Sequence, residues 1–258
     1  MKLLNEIYNY RQMIFSMVRK DLRGRYKGSA LGFLWTFINP LLQLMVYTFV
    51  FSIVLRADID KFYLFLFVAL VPWIFFSSSI TTGCTCVLAQ KDLVKKIYFP
   101  RQVLPIAYVT SSFINMLFSF IVIFGVLIIS GHGVNWKALC YLPLIMGVEY
   151  VLALGMTLIF SALDVFFRDL EHILGIVVMA WMYLTPIMYK AEQVPSQFRS
   201  LFYMNPMTPI VIAYRDILYY KQIPHISLLI KAGMLGISLL IIGVVIFQIL
   251  QKSFAEEL

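Results

Sequence analysis

Charged residues along this chain fall in clusters, with long runs between them that carry no Asp, Glu, Lys or Arg. Residues 28–55, 62–90, 102–136, 172–189 and 232–251 are such runs, and 138–163 contains only Glu149. A bilayer core of about 30 Å needs about 20 apolar residues per helix. The pattern predicts six membrane spans, at 32–55, 63–89, 104–130, 139–163, 173–189 and 228–250. They are read as helices because lipid offers the backbone no hydrogen-bond partner. Segment 200–214 is also uncharged, but it is short and contains Pro206 and Pro209. It reads as a re-entrant or interfacial helix. With 190–199, which holds Pro195, it makes a long connection before the last span, and long connections usually serve a function.

Ahead of the first span, residues 5–22 read as one helix. Asn5 is placed to cap it. Ile7, Tyr10, Met13, Ile14, Met17 and Val18 recur at helical spacing and form an apolar stripe with Arg11 and Arg19 beside it. A basic amphipathic helix of this kind lies in the membrane interface. Six spans put both termini on one side. With that side inside, pieces 1–31, 90–103, 164–172 and 251–258 hold 13 of the 21 Lys and Arg residues. The positive-inside rule then places both termini in the cytosol.

Composition narrows the class. The chain has 258 residues, 61% hydrophobic and 13% charged, with a mean hydropathy of +0.86. A soluble domain is about 45–50% apolar and about 25% charged, so the reading is an all-α membrane protein in a single transmembrane domain. The net charge of +8 fits basic loops at a membrane, with no nucleic-acid partner. Cys84, Cys86 and Cys140 lie in apolar stretches and read as small fillers. No signal peptide is visible at the N-terminus.

Some chemistry is missing from the sequence. It has no phosphate-cradling G-x-x-x-x-G-K-[ST] loop and no nucleophile elbow. His132, His172 and His225 fall in separate loops and suggest no metal site, and Asp58 and Asp60 read as a solvated loop. Glu149 is the one carboxylate inside a predicted span. One carboxylate is thin support for an ion-coupled transporter, which needs several polar groups at the midplane.

The loops say more. In segment 91–101, Leu93, Val94, Ile97 and Tyr98 would form an apolar knob flanked by lysines, on a helix stopped before Pro100. Such a short helix suits docking into a groove on another protein. In the next loop, Phe166 and Phe167 beside Arg168 and Asp169 read as a charge-fixed corner able to gate a path. Tyr47, Phe51, Phe75, Phe76, Trp181 and Tyr183 put aromatic rings inside the spans, and ring faces support the C–H faces of sugars.

Six motifs, in order, carry a resemblance. They are Arg25-Tyr26-Lys27-Gly28-Ser29-Ala30-Leu31-Gly32-Phe33-Leu34-Trp35 leading into Asn39-Pro40, then Pro72-Trp73-Ile74-Phe75-Phe76-Ser77, then Lys95-Lys96-Ile97-Tyr98-Phe99-Pro100-Arg101. Val165-Phe166-Phe167-Arg168-Asp169, Thr185-Pro186-Ile187 and Tyr203-Met204-Asn205-Pro206-Met207-Thr208-Pro209 follow. Over nearly its whole length the chain resembles the permease subunit of type-2 ABC exporters of polysaccharides such as O-antigen, capsule and teichoic acid.

The resemblance implies a bacterial cytoplasmic-membrane homodimer around a channel, bound to a separate ABC ATPase. That partner would carry ATP and Mg, with no cofactor or metal on this chain. Segment 91–99 would be the coupling helix, with Asp92, Leu93, Lys95, Lys96, Ile97 and Tyr98 meeting the ATPase. Residues 190–214 would form outer gate helices. A polyprenyl-diphosphate-linked polysaccharide would meet Arg19, Lys20, Arg23, Arg25 and Lys27 at the cytosolic mouth, since charge-assisted bonds to phosphate are strong. It would then pass Phe166, Phe167, Arg168 and Asp169 and the channel aromatics Tyr47, Phe51, Phe76, Trp181 and Tyr183. Two alternatives stand beside this: a related permease for drugs or another lipid, and a polytopic lipid-phosphate transferase.

Overall fold

A computed structural model describes residues 2–24, 28, 30–54 and 59–258. Among them the regular elements are all helical. The chain opens with α1 (Lys2–Asn9) and α2 (Arg11–Gly24) and enters the bundle with α3 (Trp35–Thr48). After it come α4 (Phe62–Cys84), the short α5 (Lys91–Lys96), α6 (Val103–Ile129), α7 (Trp136–Leu139), α8 (Leu142–Asp164) and α9 (Leu170–Leu184). Finally, α10 (Arg199–Met204) and α11 (Met207–Leu218) precede α12 (Ile226–Leu250) and a C-terminal turn, α13 (Phe254–Glu257).

Among the described residues, five helical stretches are long and apolar enough to cross a membrane: Gly32–Ser52, Phe62–Cys84, Val103–Ile129, Trp136–Asp164 and Ile226–Ser253. The expected span at 173–189 is not a helix throughout. At 15 residues, α9 is about 22 Å long, short of the bilayer core. Pro186 causes this. It forces Thr185 into extended backbone (φ −104°, ψ 139°), and the helix stops at Leu184. Even so, α9 carries the chain from the loop at Phe166 to the opposite end of the bundle, where Pro186 and Ile187 meet α11.

The N-terminal segment also differs from expectation. It is two helices broken at Tyr10, and Asn5 lies inside the first instead of capping it. The Arg11 guanidinium donates to the Tyr8 carbonyl at 3.1 Å and sits 4.5 Å above the Tyr8 ring, which fixes the corner. The apolar stripe is present. Its Tyr10, Met13, Ile14 and Met17 pack on a second, smaller core cluster formed by residues around α5, the start of α6 and the chain's end.

Helix α4 lies at the centre of the bundle. Of its apolar window 78% is buried, against 17% for the windows of α3 and α12. It packs against α3, α6, α8, α9 and α11. The closest helix pair is α8 with α12, and glycines set their separation. A Cβ on Gly155 would meet the Leu240 amide nitrogen at 2.6 Å, and one on Gly243 would meet the Gly155 carbonyl oxygen at 2.5 Å. Small residues let membrane helices approach to backbone contact in this way.

Both ends of the bundle are tied. At one end the Lys61 ammonium donates to the Ser130 carbonyl at 3.4 Å, His132 meets the Tyr219 carbonyl at 2.8 Å, and Asn135 donates to the Lys221 carbonyl at 2.9 Å. The other end gathers α1, α5, the loop after α8 and the C-terminal tail.

Gly155→Val and Gly243→Val should each destabilise the protein by about 2 kcal/mol or more, because main chain must move to admit them. The thermal unfolding midpoint in detergent measures this. Gly233→Ala is the control, since its Cβ would sit an ordinary 3.7 Å from Val148 and should leave the midpoint unchanged or raised. A Gly155→Val midpoint equal to wild type would refute backbone contact between α8 and α12.

Candidate functional site

Segment 91–101 is less helical than its sequence suggests. The helix ends at Lys96, and Ile97 is extended (φ −129°, ψ 135°). This sorts the four apolar residues into two pairs. Val94 is buried and Leu93 packs beside it in the chain's own core. Ile97 and Tyr98 project outward, 56% and 95% exposed. The free knob is therefore Ile97–Tyr98, and Asp92, Lys95 and Lys96 are exposed around it. A cleft of about 920 Å³ opens beside it, with Tyr10, Lys96, Tyr98, Arg101, Gln248 and Lys252 among its walls.

The knob stands on an anchored base. Arg101 donates to the Gln251 carbonyl, and its guanidinium lies 5.7 Å from the Phe254 ring centre. Burial there lowers the Arg101 pKa below its ordinary value, with Tyr98 acting weakly the other way. Phe254 is fully buried between Phe247, at 5.4 Å, and Phe166, at 6.2 Å. Phe166 thus belongs to the base, whereas Phe167, Arg168 and Asp169 are exposed. The sequence reading missed Phe254, because a lone aromatic in a charged tail carries no periodic signal. It also placed Asp164 in a loop. Asp164 is buried at the end of α8, where its carboxylate accepts from the Cys84 thiol at 3.7 Å. Cys84 is thus more than a filler, and Cys140 is exposed.

On α2, Arg19, Lys20 and Arg23 are exposed, while Arg25 and Lys27 lie outside the described residues. Asp21 accepts a hydrogen bond from Ser111 of α6, which helps seat the helix. The proposed channel aromatics are not gathered on one wall. Phe76 is fully buried, edge-on to Trp181 at 5.3 Å, so its ring is core in this protomer. Trp181 donates its indole N–H to Asn205 at 2.9 Å. Phe51 stacks on Phe62 at 6.1 Å, Tyr47 is half-buried, and Tyr183 is 61% exposed.

The end opposite α5 holds an unexpected polar core. The uncharged run was expected to end before Arg215, with a short interfacial helix. Instead α11 continues to Leu218 and is buried for most of its length, with Arg215 and Asp216 inside. The Arg215 guanidinium donates to four main-chain carbonyls: Phe65 of α4 at 3.2 Å, Pro186, Ile187, and Tyr189 at 3.2 Å. It also lies 3.4 Å from the Phe65 ring centre. One residue earlier, Tyr214 donates to Glu149 of α8 at 2.7 Å. Glu149 is wholly buried and paired to α11. Among the described residues, no three His, Cys, Asp or Glu side chains gather as a metal site.

Apolar helices around a buried polar tie, with an exposed knob on an anchored base, describe a multi-pass membrane protein. The chain belongs to the ABC-2 type transporter family, which it matches over residues 12–219. It is 34% identical to the O-antigen export system permease protein RfbA of Myxococcus xanthus, over 100% of this chain and 99% of that one. It is also 34% identical to the RfbA permease of Klebsiella pneumoniae, over 95% of each chain. The polysialic acid transport protein KpsM of Escherichia coli is 21% identical, over 91% of this chain and 92% of that one.

Arg215→Lys and Arg215→Met should both lower the unfolding midpoint in detergent, at a cost of about 3 kcal/mol, because an ammonium cannot reproduce the planar fork and the freed carbonyls stay buried. Arg215→Met with an unchanged midpoint would refute the tie.

Proposed function

We propose that this chain is the membrane subunit of an ATP-driven exporter that moves a polyprenyl-diphosphate-linked polysaccharide across the bacterial cytoplasmic membrane. The observation that carries the reading is end-to-end likeness to O-antigen export permeases, with no region of this chain left over. Two copies would enclose the channel, and both termini would lie in the cytosol. ATP and Mg would be held by a separate ABC ATPase. The drug or other-lipid permease remains the second reading.

The geometry supports this division of labour. Ile97 and Tyr98 would seat in a groove on the ATPase, with Asp92, Lys95 and Lys96 setting orientation at the rim. Because Leu93 and Val94 pack inward, they would hold the knob's shape without touching the partner. The exposed Arg19, Lys20 and Arg23, with Arg25 and Lys27 next in sequence, would bind the lipid diphosphate. Phe167, Arg168 and Asp169 would border the cytosolic mouth, and the exposed Tyr183 is the aromatic best placed to meet sugar along the path.

Loss of the gene should strip the glycan from the cell surface and leave its lipid-linked form inside the cell. An unchanged surface glycan with altered drug sensitivity would favour the second reading. In the purified complex, Tyr98→Asp and Ile97→Asp should each cut ATPase recovery about tenfold at normal permease levels. Val94→Asp should instead lower the permease level itself. Full ATPase recovery with Ile97 and Tyr98 both changed to Asp would place the docking surface elsewhere.

A further inference from the structure

Helix α3 presents two different faces outward. Leu41, Leu42, Met45, Val46 and Phe49 form an exposed apolar face suited to lipid. About half a turn away lie Thr36, Asn39, Gln43 and Tyr47, at the spacing that aligns side chains on one face. Asn39 and Gln43 are also exposed. A carboxamide turned to hydrocarbon is costly, so this stripe faces something polar.

Thr36, Asn39 and Gln43 of this stripe line a cavity of about 280 Å³ between α3, α4 and α6. Ser78 of α4 and Ser112, Asn115 and Ser119 of α6 also line it, with Trp35 and Phe75 supplying aromatic walls. These positions fall near the middle of α4 and α6, the depth at which membrane transporters bind their cargo. Pro40 shapes the wall. It cannot donate to the Thr36 carbonyl, which accepts from the Ser119 hydroxyl at 3.4 Å. Among the described residues every lining side chain is neutral. The cavity therefore suits neither a proton relay nor a phosphate. Amides and hydroxyls beside aromatic faces match an uncharged polyhydroxyl group, and the volume admits a unit of monosaccharide size.

We infer that the α3–α4–α6 cavity is a binding subsite for one uncharged sugar unit of the transported chain, with Asn39 and Gln43 as its hydrogen-bonding residues. This rests on the polysaccharide-export reading. It adds a site within each protomer, distinct from the aromatic residues expected to line the channel.

The test is photo-crosslinking in cells that carry the whole exporter. A benzophenone amino acid replaces Gln43, Tyr183 or, as a lipid-facing control, the exposed Ile241 of α12. Crosslinked permease is probed by periodate staining for carbohydrate. The expected result is a carbohydrate-bearing adduct at Gln43 and none at Ile241. Gln43→Leu and Asn39→Leu, both at exposed positions, should lower the rate of surface glycan appearance about fivefold or more at normal permease levels. A carbohydrate adduct at Tyr183 without one at Gln43 would overturn the subsite and leave the export reading intact. A carbohydrate-free adduct of twice the permease mass at Gln43 would show a second copy there and also overturn it. No carbohydrate adduct at any position, with normal surface glycan after gene deletion, would overturn the export reading itself.

Discussion

The fold turns on a buried guanidinium that has no need of a carboxylate. Pro186 ends α9 early, and the chain beyond it runs buried with its carbonyls outside any helix. Unsatisfied carbonyls inside a membrane protein cost several kcal/mol each. Arg215 answers this directly, because its planar head carries five N–H donors in a fixed fork. It reaches the carbonyls of Pro186, Ile187 and Tyr189 and one from α4. The irregular segment, the central helix and α11 are thereby joined through main chain, so the join depends little on which side chains surround it.

The same constraint explains what could and could not be read from the sequence. Charge-free runs mark the long helices well, since each Lys or Asp in hydrocarbon is expensive. The rule fails where a charge is buried with its partners supplied by tertiary structure. The run 200–214 stops at Arg215 and Asp216, so α11 looked short and superficial, yet those charges are among its buried residues. The run 172–189 is charge-free but contains Pro186, and backbone geometry overrides hydropathy there. In segment 91–101, spacing identified Leu93, Val94, Ile97 and Tyr98 as one apolar group. Only the end of the helix at Lys96 decides which two face inward and which two face out. Of the candidate site, exposure of the α2 cations was legible. The base of the knob was not, because Arg101, Gln251 and Phe254 meet across about 150 residues of chain.

These ties form one packed line through the molecule. Tyr98 extends from a segment anchored by Arg101 to the C-terminal tail, and the tail's Phe254 is held by Phe247 of α12 and by Phe166, just beyond α8. Helices α8 and α12 touch at the main chain of Gly155 and Gly243. About a third of the way along α8, Glu149 accepts from Tyr214 of α11, the neighbour in sequence of Arg215 and its ring of carbonyls. Packed interiors at crystal-like density transmit strain instead of absorbing it. On the export reading, these contacts give a push on the knob at one end a continuous packed route to the irregular segment at the other.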